Sequence, residues 1–281
     1  MYYAGISDEA GEDLDIQIKA HAELGWSHIE PRNIRNTCIT DLSDGQFRTV
    51  ARKLRIAKLQ AVGFASQIAN WARPIDGDFQ VDVDELNRAI PRMQEVGAKF
   101  IRCMSYPNRK DNPLPEIVWE SEVMRRFKEL AKIAEQGDVV LVHENCHGWA
   151  SQSPQHFLKL AEAVNSPALK FVFDTGNTRD RDNLEYYEAV KEHIVHVHIK
   201  DWTRSEDGST TSCFPGEGEA QVPEIIRRLK ADGYDGCLSI EPHMVAVIHL
   251  DQSADADPEK AYNTYVEYGK RLMKLVDSIG I

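Results

Sequence analysis

Short apolar runs rich in β-branched residues alternate along the chain with longer segments in which apolar positions recur every three or four residues. The short runs predict eight strands, at residues 2–6, 28–31, 60–65, 100–104, 139–143, 169–173, 194–199 and 237–240. The longer segments predict helices that bury one face, at residues 15–24, 46–58, 83–96, 121–135, 154–164 and 222–231. Regular alternation of this kind is typical of βα units wound around a parallel sheet.

The number of units indicates which parallel-sheet fold the chain adopts. Eight βα units account for all 281 residues, which predicts an α/β protein with one (β/α)8 TIM barrel domain over residues 1–281. An open doubly wound sheet is the alternative, but residues 7–11 lack the Gly-x-Gly-x-x-Gly turn of a dinucleotide site. We expect a left-handed glycine after four of the helices, at Gly25, Gly97, Gly137 and Gly233.

Two segments, 203–220 and 244–258, are longer than ordinary connections. We expect both to be βα loops on one face of the barrel, where such loops form lids, substrate walls or subunit contacts.

Net charge narrows the classes of partner. The formal charge of −12 repels phosphate backbones and anionic lipid, so we expect no binding to nucleic acid or membranes. The start of the chain is acidic, unlike a signal peptide, and we expect a cytoplasmic protein. Five cysteines without a CxxC pair indicate neither a disulfide framework nor a cysteine zinc site.

The last four predicted strands each end in an ionisable residue: Glu144, Asp174, His198 and Glu241. Because the carboxyl ends of barrel strands meet at one rim, these side chains should converge. Three carboxylates and one imidazole suit a divalent ion such as Mn²⁺, Mg²⁺, Co²⁺ or Zn²⁺. On the seventh strand, His196 and His198 share a face, and we assign the ligand to His198 because it lies nearer the rim, leaving His196 inside the barrel.

The motifs HEN, FDTGN, HVHIKD and SIEPH on successive strands, with GISDEA, LGWSHIEPR and PGEGE, resemble the sugar phosphate isomerase/epimerase superfamily, the xylose-isomerase-like TIM barrels that share the fold of an abasic-site endonuclease family. The resemblance covers essentially the whole chain. It implies one divalent metal held by Glu144, Asp174, His198 and Glu241, with Glu144 and Glu241 as the acid/base pair. It also implies an isomerase or epimerase that moves a proton on a sugar or keto-sugar through an enediolate. An inosose-type dehydratase or keto-glycoside lyase is the alternative on the same metal site.

Seven further residues are candidates for substrate binding: Arg32, Gln67, His147, Asn177, Lys200, Trp202 and Glu217. Lys200 could donate to a substrate oxygen, although a rim salt bridge with Asp201 is as good an interpretation. Trp202 could stack on a sugar ring. In several relatives of the superfamily a histidine stands where this chain has Asn177.

The sequence disfavours two other classes of function, an endonuclease and a non-catalytic binding protein. The related endonuclease with three zinc ions needs further histidines, where this chain has Arg32, Gln67 and Ser105, and its substrate conflicts with the charge of −12. A non-catalytic sugar-binding barrel should lack a ligand or base, but all are present.

The identity of the substrate stays open at this stage. The ends of strands seven and eight carry no phosphate-binding cluster, which slightly favours a free sugar, keto-inositol or keto-glycoside over a phosphate. Arg204 could still reach a phosphate. A homodimer or homotetramer is also open, because Tyr262, Tyr265, Tyr268 and Leu272 fit either core or interface.

Overall fold

Eight parallel strands form the inner layer of the protein, in a computed structural model that describes residues 1–245 and 257–280. In chain order they are β1 Tyr2–Gly5, β2 His28–Ile29, β3 in two parts Gln60–Ala61 and Gly63–Ala65, β4 Phe100–Ser105, β5 Val140–Gly148, β6 Leu169–Asp174, β7 Ile194–Ile199 and β8 Cys237–Ile240. Neighbouring strands pair in this order, and β8 pairs with β1. A parallel bridge between Ile6 and Glu30 joins β1 to β2 and completes the ring.

A helix follows each strand and packs outside the ring. The described helices are α1 Leu14–Glu23, α2 Asp44–Ala57, α3 Gln80–Val96, α4 Glu116–Gln136, α5 Pro154–Val164, α6 Asn183–Val190, α7 Val222–Ala231 and α8 Pro258–Ile279. The fold is therefore the TIM barrel that the alternation of strands and helices predicts. None of the described helices is both long enough and apolar enough to cross a membrane.

Local sequence explains where the helices begin. Ser43 accepts a hydrogen bond from the backbone of Gln46, and Gln46 accepts one in return, which is a capping box at the start of α2. Asp182 caps α6 and Asp257 caps α8 in the same position.

The helix ends agree with the glycine prediction except in one case. Gly25, Gly97 and Gly233 have positive φ, whereas Gly137 is right-handed with φ of −89°. The prediction for Gly137 was wrong because the left-handed position is the next residue, Asp138, with φ of 52°. An aspartate tolerates this conformation better than most other residues.

The long segment 203–220 is partly ordered as an antiparallel hairpin. Asp201–Arg204 pairs with Thr210–Cys213 directly after β7. A smaller hairpin, Asn33–Ile34 with Thr37–Cys38, follows β2. For the other long segment, 244–258, the part from 246 to 256 lies outside the described residues.

The core lies between the strands and the helices. Tyr265, Tyr268 and Leu272 of α8 are fully buried in it, while Tyr262 is half-buried. Tyr265, Tyr268 and Leu272 therefore belong to the core of the chain and not to a subunit interface.

Candidate metal centre and substrate cavity

Four buried side chains converge at the carboxyl ends of the last four strands: Glu144, Asp174, His198 and Glu241. One potential ligand atom from each lies within 4.8 Å of the other three. The centre of the group is Nδ1 of His198, which lies 3.5 Å from Glu144 Oε1, 3.7 Å from Asp174 Oδ2 and 3.5 Å from Glu241 Oε2. These distances exceed ordinary hydrogen bonds, and the buried nitrogen has no hydrogen-bond partner among the residues that the structure describes.

The register of the strands explains the convergence. His198 on β7 lies opposite Asp174 on β6 and opposite Ser239 on β8. Glu144 lies opposite Val172 of β6, and Glu241 follows the last residue of β8. All four ligands therefore stand at nearly the same height on the barrel rim.

The charges around the group favour a cation. Six buried carboxylates meet three fixed cations there: Asp8, Glu9, Glu30, Glu144, Asp174 and Glu241 against Arg32, Arg102 and Lys200. Burial raises the pKa of Asp174, and it raises the pKa of Glu9 to about 8. For His198, burial alone would lower the pKa, but Glu30 and the surrounding carboxylates raise it well above the usual value. A divalent cation fits this set, because it would offset the excess negative charge that otherwise favours protonation.

Glu30 supports the group from inside the barrel. Its Oε1 lies 3.1 Å from Nε2 of His198, and its Oε2 lies 2.8 Å from Nε2 of His196. The same Oε2 accepts a hydrogen bond of 2.5 Å from the hydroxyl of Ser239. His196 is thus an interior residue, as predicted from strand alternation, and Glu30 holds one nitrogen of His198 away from the cluster.

Three cations, Arg32, Arg102 and Lys200, flank the ligand carboxylates. The ammonium group of Lys200 lies 2.8 Å from Asp174 Oδ2 and 2.7 Å from Glu241 Oε2. Burial opposes ionisation of Glu241, but Lys200, His243 and Arg32 together outweigh it, and the pKa of Glu241 lies well below its usual value. Arg102 lies 3.5 Å from Glu144 and lowers the pKa of that carboxyl against the same effect of burial.

On the opposite side of the rim, Arg32 joins the first and last strands. Its guanidinium contacts Asp8 at 3.1 Å, Glu9 at 3.4 Å and Glu241 at 2.9 Å. His243 also contacts Glu241, with Nε2 at 3.1 Å from Oε1, and burial lowers the pKa of this imidazole to about 3. These contacts fix the orientation of the Glu241 carboxylate.

An open cavity of about 430 Å³ lies above the cluster. Of the ligands, Glu144 and Glu241 line it. Four of the predicted substrate-binding residues also line it: Arg32, His147, Asn177 and Lys200. The amide of Asn177 donates to Glu144 Oε1 at 3.2 Å, so this residue bridges the cluster and the cavity wall.

The other three predicted contacts do not line this cavity. Glu217 is turned to the outer surface, where it forms an ion pair with Arg271 of α8. Gln67 is exposed, and its side chain accepts a hydrogen bond from Arg73. Trp202 is almost fully buried and lines a neighbouring cavity instead.

The alternative interpretation of Lys200, as the partner of Asp201, was also wrong. Asp201 accepts hydrogen bonds from the backbone of Gly216, Gly218 and Ala220, which ties the segment after the hairpin to β7. Lys200 is therefore left to the ligand carboxylates.

Arg102 and Glu30 are residues of the site that escaped the sequence analysis. Arg102 lies within β4, and Glu30 directly follows β2, inside the predicted strand 28–31, so neither stands at the end of a predicted strand. The usable signals were an arginine inside the apolar run FIRCMS and a glutamate inside SHIEP, because such charges are buried in strands only with a partner.

The chain is similar to known proteins in both sequence and fold. Residues 18–279 match the family model described as xylose isomerase-like TIM barrel. An uncharacterised protein of Methanocaldococcus jannaschii is 30% identical over 122 residues, and the match covers 41% of each chain. Fructoselysine 3-epimerase of Shigella flexneri is 22% identical, over 78% of this chain and 82% of that protein. Inosose dehydratase of Halalkalibacterium halodurans is 24% identical, over 82% of this chain and 78% of that protein.

Solved structures share the whole fold. A xylose isomerase-like TIM barrel protein from Mycobacterium smegmatis, in complex with magnesium, matches with a TM-score of 0.74 at 16% identity, over 99% of this chain and 97% of that one. The 3-keto-D-glucoside 4-epimerase of E. coli matches with a TM-score of 0.71 at 16% identity, over 96% of this chain and 100% of that one.

Proposed function

The chain belongs to the xylose isomerase-like TIM barrel family, and we propose that it is a divalent-metal-dependent isomerase or epimerase of a sugar or keto-sugar. The observation that carries the proposal is the buried group of Glu144, Asp174, His198 and Glu241 below an open cavity. Its relatives support the substrate class, because they include fructoselysine 3-epimerase and 3-keto-D-glucoside 4-epimerase.

We propose one metal ion, Mn²⁺, Mg²⁺, Co²⁺ or Zn²⁺, held by these four residues. When bound there, such an ion would supply Lewis acidity, which acidifies a C–H beside a carbonyl and stabilises the enediolate formed by its loss. The donor set suits these ions because three of the four ligands are carboxylates.

Glu144 and Glu241 are the proposed acid and base. Both line the cavity, they come from strands on different sides of the cluster, and each has a cation that keeps it ionised. A carboxylate on one side of the sugar removes the proton, and the other returns it to the opposite face or to the neighbouring carbon. The first outcome is epimerisation and the second is aldose–ketose isomerisation.

Four other residues are proposed to hold the substrate: Arg32, His147, Asn177 and Lys200. They offer guanidinium, imidazole, amide and ammonium donors to sugar oxygens along one cavity, whose volume suits a small ligand. Lys200 is placed to act on an oxygen next to the reacting carbon, because its ammonium group lies 2.7 Å from the Glu241 carboxylate.

A dehydratase or lyase is the second candidate, and the inosose dehydratase relative favours weighing it. The same loss of a proton beside a carbonyl can be followed by loss of a neighbouring oxygen as water or as an alcohol. The ammonium group of Lys200 could then protonate the leaving oxygen. We also propose that the enzyme is cytoplasmic. The charge of −12 favours the further proposal that it has no nucleic-acid partner.

Solvent exchange tests this proposal. Two samples of the protein are prepared in D₂O, one loaded with Mn²⁺ and one with Mg²⁺. Each is incubated with a panel of ketoses, keto-inositols and 3-keto-glycosides, and the products are analysed by NMR. We expect deuterium at a carbon beside the carbonyl in at least one substrate, with a new epimer or isomer. A product lacking an oxygen substituent would favour the dehydratase or lyase. No exchange in any member with either ion would favour the non-catalytic barrel and contradict the proposal.

A further inference from the structure

A second cavity, of about 310 Å³, adjoins the substrate cavity. Both are lined by the loop that follows β6, and they share Thr178, Arg179 and Arg181 of that loop. A ligand bound at the cluster can therefore extend past this loop without leaving the protein surface. We refer to the second cavity as the side cavity.

The side cavity is lined by more arginines than carboxylates. Arg179 donates to the hydroxyl of Thr210 at 2.7 Å, and Arg181 donates to the backbone carbonyls of Ser151 and Gln152. Neither arginine forms an ion pair with any of the described residues. Uncharged acceptors therefore hold the two guanidinium groups in place and leave their charge available.

A third arginine, Arg204, lines the same cavity. Its ion pair is with Asp180 at 3.5 Å, and the Asp180 side chain is 91% exposed, so this pair is weak. Two acidic residues also line the cavity, which leaves an excess of one arginine, and both accept backbone hydrogen bonds: Asp182 caps α6, and Glu219 accepts from the backbone of Arg204 at 3.0 Å.

An independent observation points to the same ligand chemistry. Trp202 lines the side cavity and is almost fully buried, yet its indole N–H has no hydrogen-bond partner within residues 1–245 and 257–280. A buried donor without an acceptor is costly, so an acceptor supplied by a ligand would stabilise it. Arginines and an unused N–H together form a site for an anion.

We propose that the side cavity binds an anionic group of the substrate, a phosphate or a carboxylate, while the carbonyl end of the same molecule lies at Glu144 and Glu241. This inference rests on the proposed function, because it assigns that site its substrate class. With an overall charge of −12, the protein as a whole repels anions, so a local excess of arginine favours an anion-binding site at this place. The inference also reverses the slight preference for an uncharged sugar. That preference rested on the ends of strands seven and eight, whereas Arg179 and Arg181 follow β6.

Calorimetric titration of inorganic phosphate and of D-glucuronate into metal-free protein tests the inference. Removing the metal excludes binding of the anion to the metal itself. We expect the double variant Arg179→Gln/Arg181→Gln to bind at least about tenfold more weakly, because it loses two charged donors. Trp202→Phe should weaken binding about fivefold with little change in shape. Arg227→Gln, a solvent-exposed arginine on α7, serves as the control and should change nothing.

Preference for phosphate would indicate a phosphate ester as substrate, and preference for glucuronate a sugar acid. Binding that requires the metal, or that survives in the double variant and in Trp202→Phe, would overturn the inference. Because this titration needs neither metal nor turnover, its failure leaves the proton-transfer proposal intact. Loss of solvent exchange would, in turn, leave this binding result unchanged.

Discussion

At the scale of single residues, Glu30 decides which nitrogen His198 presents to the cluster. In the metal-bound form, a hydrogen on Nε2 would be donated to Glu30, 3.1 Å away, and the Nδ1 lone pair would be left for the ion among the three carboxylates. A carboxylate that accepts a hydrogen bond from the other nitrogen of a ligating histidine fixes the tautomer and the ring orientation, and it makes the imidazole a better ligand.

Replacing Glu30 with glutamine should therefore weaken metal binding by about 10- to 100-fold, because an amide orients the ring less strongly. Titration of Mn²⁺ into metal-free protein measures the change. Glu85→Gln is the matched control: Glu85 is equally buried but pairs with Arg73 on another side of the barrel. Equal affinity in the wild-type and Glu30→Gln proteins would remove the role assigned to Glu30.

Glu241→Gln tests the acid/base assignment. The amide is nearly isosteric, so we expect the fold to remain while solvent exchange falls at least about 100-fold, because the base is lost. Thermal unfolding and NMR exchange measure the two effects. Glu217→Gln, a surface glutamate paired with Arg271, is the control and should exchange at the wild-type rate. Exchange at that rate in Glu241→Gln would show that another group moves the proton.

A residue of the site was predictable where a charged residue ends a predicted strand, and not where the charged residue lies inside a predicted strand. The cluster of Glu144, Asp174, His198 and Glu241 follows from strand ends meeting at one rim. Arg102 and Glu30 could not be assigned in the same way, because the partner that makes a buried charge tolerable comes from a distant part of the chain. Glu217 was misassigned because Arg271, its partner, lies 54 residues further along.

At the scale of elements, the end of β5 shapes the cavity wall that carries His147. Gly148 pairs with Ser105 of β4 and has φ of 97° and ψ of −173°. A Cβ at this position would overlap the backbone carbonyl group of Ser105. Glycine therefore allows the two strands to approach each other beside His147.

Gly148→Ala should destabilise the protein by about 1–3 kcal/mol or more, because it combines backbone strain with a steric clash. The melting temperature measures this loss. Gly208→Ala is the comparison: it also has positive φ, 83°, but nothing lies within 4 Å of the added methyl group. It should cost about 1–2 kcal/mol from backbone strain alone. A Gly148→Ala protein no less stable than Gly208→Ala would contradict the close approach.

Elements were predictable where periodicity is strong. All eight strands lie where the apolar runs predict them, and six helices agree within a few residues. The helix α6 was not predicted, because its eight residues lack a clear apolar stripe and no glycine ends it. The hairpin of Asp201–Arg204 and Thr210–Cys213 also escaped, because its strands are mostly polar and carry no alternating apolar pattern.

At the scale of the whole molecule, the barrel brings together residues that are far apart in the chain: Glu144 and Glu241 are 97 positions apart, and Arg32 and Glu241 are 209 positions apart. Repeated right-handed βα units allow only a few arrangements, so the topology follows from the alternation alone. Loop conformation does not follow in this way. The side cavity, for example, depends on a loop after β6 whose arginines bind carbonyls and a hydroxyl of neighbouring loops.

The central claim is that four strand ends form one divalent metal centre. Calorimetric titration of Mn²⁺ into chelator-treated protein tests it most directly, with His198→Ala as the variant and His143→Ala, a buried histidine outside the cluster, as the control. We predict one ion per chain in the wild-type and His143→Ala proteins, and binding at least about 100-fold weaker in His198→Ala. Absence of binding in the wild-type protein, or equal binding in folded His198→Ala, would contradict the account.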